Sequence, residues 1–124
     1  SGVKKPLALG FWFEDCPQSE AVISVLNRLR QSHPEDSLEV LSIYLNRVDD
    51  AALEGHAAHM DVRVPVINGQ AAPEQFAALL QSLKMDGAAV YIIEKDGAIH
   101  TIPVGDSEAD DLLKKAEELL KKAA

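Results

Sequence analysis

From Leu7 to Phe13 the chain is a short, nearly continuous apolar run, the pattern of a strand buried on both faces. It ends in Asp15-Cys16-Pro17-Gln18-Ser19-Glu20, after which Val22, Val25, Leu26 and Leu29 fall at helical spacing as one apolar stripe. Pro17 suits the first helical position, where its missing N–H costs nothing, and Ser32-His33-Pro34 stops the helix. A strand without a wet face that leads into an amphipathic helix restricts the chain to layered α/β architectures.

The rest of the chain repeats that alternation. Leu38 to Leu45 is a second buried strand, rich in branched and aromatic residues. Asn46 to Asp50 has helix-start chemistry and feeds an alanine-rich helix to about Met60. Val62 to Ile67 is a short extended piece containing Pro65, closed by Asn68-Gly69, and Pro73 opens a helix with Phe76, Leu79, Leu80 and Leu83 on one face. Ala89 to Ile93 and Ala98 to Val104 flank Lys95-Asp96-Gly97, a hairpin signal. Ser107 with Asp110 resembles a capping box for a last helix with Leu112, Leu113, Ala116, Leu119 and Leu120 on its apolar face. The order is βαβαβαββα. Strands separated by helices predict parallel pairing, the hairpin adds an antiparallel pair, and the expected fold is a mixed sheet with helices on both faces.

One domain accounts for residues 1–124, with 1–6 read as a flexible start or a cloning remnant. A hydrophobic content of 47% excludes a wholly disordered chain, and no apolar run is long enough to span a bilayer. Twelve Lys and Arg against twenty Asp and Glu give a net charge of −8. Phosphate backbones repel such a domain, so nucleic acid is not an expected partner. A single cysteine, Cys16, excludes an internal disulfide and a zinc site built on several thiolates.

That cysteine carries the chemistry. Placed between a buried strand and a helix N-terminus, a thiol meets unpaired N–H groups and the helix dipole, which favour the thiolate. Phe11-Trp12-Phe13-Glu14-Asp15-Cys16-Pro17-Gln18-Ser19 resembles the F-W-x-x-W-C-P-x-C pattern of the thioredoxin-like superfamily, in its TlpA/ResA-type branch of thiol-disulfide oxidoreductases. Val40 to Asp50, Val64-Pro65-Val66, and Val90 to Gly97 continuing to Val104-Gly105 are similar to further segments of that family in the same order. The resemblance implies a thioredoxin-like fold, an extracytoplasmic setting and a protein or small-molecule thiol or disulfide as partner. Cys16 and Ser19 take the catalytic positions, and Trp12, Pro17, Gln18, Ala88 and Ala89 the substrate-binding ones.

Departures from the pattern define the functional question. Ser19 stands where the family has its second, resolving cysteine, and a hydroxyl cannot release a mixed disulfide. It reads either as a first-turn serine or as a deliberate Cys→Ser change. Asp15 replaces the usual tryptophan, and Glu14, Asp15 and Glu20 are expected to raise the thiol pKa by charge. The family's cis-proline position falls at Ala88 or Ala89, unless a glutaredoxin-like alignment assigns it to Pro65.

Two functions stay open: a single-thiol protein that forms mixed disulfides through Cys16, and a redox-inactive thioredoxin-fold binding module. A peroxiredoxin-type site is disfavoured because Leu9 and Phe13 occupy the positions that must polarise peroxide. A copper chaperone would need a second cysteine. His56 and His59 have chelating spacing but no third ligand in view, so no metal, no cofactor and a monomer are expected.

Overall fold

The structure is a computed structural model that describes residues 5–12, 16–44, 49–68 and 88–123. In chain order the elements are β1 (Leu7–Trp12), α1 (Pro17–Ser32), β2 (Glu39–Tyr44), α2 (Asp50–His59), β3 (Val66–Asn68), β4 (Ala89–Ile93), β5 (Ile99–Pro103) and α3 (Ala109–Ala123). The helix expected to open at Pro73 lies outside the described residues.

The strands form one sheet in the order β3-β2-β1-β4-β5. β1 pairs in parallel with β2, and β2 with β3, whereas β4 is antiparallel to both β1 and β5. β1 is therefore central, which explains why its sequence lacks polar alternation. β4, also flanked on both sides, is buried at all five positions. The antiparallel β1–β4 pair departs from the rule that helix-separated strands run parallel.

On one face, α1 and α3 cover Ala8, Val40, Val90, Ile92 and Ile102 with Val22, Val25, Leu26, Leu29, Leu112, Ala116 and Leu120. α2 docks beside them through Leu53 onto Trp12, Ile23 and Tyr44. The opposite face gathers Leu9, Phe11, Ile43, Ala89, Tyr91 and Ile93, with Phe11 and Tyr91 edge-to-face at 5.5 Å. Burial of these side chains supplies the main stabilising term.

Close docking of α1 depends on a missing side chain. A Cβ on Gly10 would lie 2.5 Å from Val22 Cγ1 and 2.8 Å from Leu26 Cδ1, far inside van der Waals contact. Glycine in the middle of β1 thus brings the helix onto the sheet and fixes the height of its N-terminus.

The β4–β5 turn forms as the sequence predicts. Gly97 adopts φ +94°, its N–H donates to the Glu94 carbonyl at 2.9 Å, and Asp96 Oδ1 accepts from the Ala98 amide at 3.0 Å. The expected capping box does not form. α3 begins at Ala109, and Asp110 reaches across to Arg28 of α1 at 2.6 Å. A link between helices thus takes the carboxylate that a local cap would have used.

The predicted extended piece at Val62 shortens to β3. A left-handed turn takes the residues before it: Asp61 has φ +56°, its amide donates to Ala58, and that of Val62 donates to Ala57. This is the Schellman pattern, with aspartate in the position glycine usually fills. At the N-terminal side, Pro6 is buried and accepts from the Glu39 amide at 3.0 Å, while Lys5 bonds the Glu35 carbonyl and pairs with Glu39 at 3.2 Å. These contacts set Lys5 and Pro6 against the start of β2.

Candidate functional site

β1 ends at Trp12 and α1 begins at Pro17, with Cys16 as the N-cap residue in extended conformation, φ −116° and ψ 120°. Proline at the first helical position removes one orphan donor, so the amides nearest the sulfur belong to Gln18 and Ser19. Cys16 is half-buried and Ser19 fully buried, while Pro17, Gln18 and Glu20 are exposed.

Burial pushes the Cys16 thiol up, but hydrogen bonding of the ionised sulfur by the Ser19 amide, the Ser19 hydroxyl and the Gln18 amide outweighs it. The Glu20 charge offsets part of that gain, and the net pKa lies below a cysteine's ordinary value. This corrects the expectation of a raised pKa. A screened surface carboxylate acts weakly through water, whereas hydrogen-bond donors in direct contact stabilise the anion. Glu14 and Asp15 lie outside the described residues.

The remaining candidates fall into four places. Gln18 Nε2 donates to the Gly105 carbonyl at 3.1 Å, tying the start of α1 to the loop after β5. Beside this bond a shallow cleft of about 290 Å³ is lined by Pro17, Gln18, Ala21, Val104, Gly105 and Ser107. Ala88 and Ala89 open β4; the β1–β4 register sets Gly10 opposite Val90, so they lie at the Cys16 end of the sheet. The Ala88 carbonyl accepts from the Val104 amide at 3.0 Å.

Pro65 is elsewhere. No peptide bond among the described residues is cis, and Pro65 precedes edge strand β3, where its carbonyl accepts from the Ser42 amide at 2.9 Å and the Ser42 hydroxyl at 3.1 Å. The strand antiparallel to β1 follows Ala88.

Trp12 is fully buried. Its ring lies 4.7 Å from that of Tyr44, and Nε1 donates to Ser42 Oγ at 3.2 Å. It packs with Ile23 of α1 and Leu53 of α2, as a support beneath α1. Ser42, which the sequence reading passed over, joins β1 to the β3 edge; a serine inside the apolar run of β2 was its only signal. His56 stacks on Tyr44 at 5.5 Å, and among the described residues no three His, Cys, Asp or Glu side chains are grouped to hold a metal.

No protein-family model matches the chain, and no curated protein matches it in sequence. Solved structures do match in fold. A thioredoxin-like protein in its oxidized form superposes with TM-score 0.70 at 20% identity, covering 99% of this chain and 82% of that one. A secreted Mycobacterium tuberculosis disulfide oxidoreductase homologous to E. coli DsbE gives 0.66 at 17%, covering 93% and 82%. StoA from Bacillus subtilis gives 0.63 at 14%, covering 91% and 83%. In strand order, pairing and structural neighbours, the protein has a thioredoxin-like fold.

Proposed function

We propose that the protein acts as a single-thiol relative of the TlpA/ResA-type oxidoreductases, with Cys16 forming mixed disulfides and Ser19 assisting it. The observation that carries this reading is the set of Ser19 and Gln18 donors on the Cys16 sulfur, which lower its pKa and increase the thiolate fraction at neutral pH.

The Cys16 thiolate attacks one sulfur of a partner disulfide. A Cys16–partner disulfide forms, and the other partner sulfur leaves as a thiolate that takes a proton from water. Ser19 cannot perform the second displacement. An external thiol such as glutathione attacks the mixed disulfide instead, giving a new disulfide on the partner and returning Cys16 as thiolate. The neighbour from M. tuberculosis is described as secreted, which supports an extracytoplasmic setting, where disulfides persist.

A disulfide reagent followed by mass spectrometry tests this reading. The protein is expected to accumulate a stable Cys16 adduct that added glutathione discharges, and Ser19→Cys is expected to discharge it without glutathione. Alkylation of Cys16 no faster than that of a free cysteine peptide contradicts the proposal. It supports instead the binding-module reading, which Ser19 at the resolving position and an alanine, Ala88 or Ala89, at the cis-proline position favour.

A further inference from the structure

Along the outer side of α1, facing the turn after α2, runs an open groove of about 780 Å³ lined by Glu20, Asn27, Arg28, Arg30, Asp61 and Arg63 among others. It is larger than the cleft beside Gln18. Asn27 holds its two walls together: Nδ2 donates to the Asp61 carbonyl at 2.9 Å, and Oδ1 accepts from the Arg63 amide at 2.8 Å. The same turn is fixed by the left-handed Asp61.

Charge is sorted along the groove. Glu20, one turn beyond Cys16, stands at the near end, whereas Arg28 and Arg30 lie in the far half of α1 with Arg63 on the opposite wall. Arg28 pairs with Asp110 at 2.6 Å and Arg63 with Asp61 at 2.9 Å, all on exposed side chains. Exposed pairs of this kind contribute little and exchange readily for another carboxylate. In a chain of net charge −8, the far end is a local cationic stretch that an acidic ligand can use despite the overall field.

Length fits a peptide. From Glu20 to Gln31 the helix rises about 16 Å at about 1.5 Å per residue, which an extended strand spans in roughly five residues. The geometry points to this groove as the seat of the partner polypeptide next to the cysteine captured by Cys16, an extended segment with acidic side chains roughly three to five residues from that cysteine and none adjacent to it. The inference rests on the single-thiol reading of Cys16 and adds the partner's sequence preference.

Two synthetic peptides of identical composition test it, each with one cysteine activated as a 2-thiopyridyl disulfide. One carries lysine next to the cysteine and two glutamates at the far end; the other reverses that order. Cys16 attacks the peptide cysteine's sulfur, forms the protein–peptide disulfide and releases 2-thiopyridone, which is followed by absorbance. The distal-acid peptide is expected to react roughly 3- to 10-fold faster at low salt, with the preference fading at high ionic strength. It should also fall towards unity in the R28Q/R63Q double variant and persist in R28K/R63K. Equal rates for the two peptides on the unmodified protein overturn the inference and leave the Cys16 reading standing. No release from either peptide overturns that reading itself.

Discussion

Helices α1 and α2 begin in the same backbone register and use it differently. At α2, Asp49 is the N-cap and its Oδ1 accepts from the Ala52 amide at 2.7 Å, the ordinary way to satisfy an orphan donor. At α1 the N-cap is Cys16, whose neutral thiol makes no capping hydrogen bond. Sulfur accepts poorly until it ionises, so the Gln18 and Ser19 donors gain most when the thiolate forms. One helix start is arranged for stability. The other holds its donors for a charge, and α1 must be kept in place by docking instead of by its cap.

Exchanging the caps is the most drastic way to break that contrast. Cys16→Ser removes the only thiol and supplies a good capping oxygen. Mixed-disulfide formation should vanish by mass spectrometry, while urea unfolding should show unchanged stability or a gain of up to about 1 kcal/mol. A clear loss of stability would mean that the sulfur already serves as a structural cap.

Docking comes next in size. Gly10→Ala places a Cβ against Val22 and Leu26 and should cost roughly 1–3 kcal/mol by urea unfolding. Asp49→Ala removes the α2 cap and should cost about 1 kcal/mol, with the Cys16 alkylation rate unchanged. If Asp49→Ala proved the more damaging of the two, α1 would not depend on its seat over Gly10 in the way described.

A smaller effect links the α1 start to stability through pH. Because the folded state lowers the Cys16 pKa, the unfolded chain binds more protons between the folded value and the unfolded value of about 8.5. The contribution is fully present above the unfolded pKa and is lost as pH falls through the folded one. Stability of the parent relative to Cys16→Ser should therefore rise with pH across that window. A flat difference between the two would contradict the lowered pKa.

Much of this frame was legible in the sequence, and the reasons are local. The apolar runs of β1 and β2, Pro17 after Cys16 and Asp96-Gly97 in the hairpin are each dictated by nearest neighbours along the chain. What was not legible depends on contacts between distant segments. Nothing near Ala89 states that β4 will run antiparallel to β1. Gly10 reads as a gap in an apolar run until Val22 and Leu26 are seen against it. Asp110 sits where a capping box would use it, yet Arg28, far away in sequence, takes its carboxylate. His33 Nε2 lies 2.6 Å from Glu117 Oε1, joining α1 to α3 across a separation that no motif encodes.

The site follows the same division. Its position was given by the strand–cysteine–proline–helix pattern, but the direction of the thiol's pKa was not. Counting carboxylates along the sequence weighs charge by proximity, whereas the folded site is governed by donors in contact with the sulfur. Ser19 illustrates the difference: as a sequence letter it marks a missing thiol, and in the structure it supplies the amide and hydroxyl that favour Cys16 as an anion.

The central claim is that the start of α1 stabilises a thiolate, and the pH dependence of Cys16 alkylation measures it directly. The rate should follow a single titration with a midpoint below that of a free cysteine peptide, and Ser19→Ala should move the midpoint up while leaving the rate of the fully ionised thiol little changed. A midpoint at or above the free peptide's, insensitive to Ser19→Ala, would contradict the account.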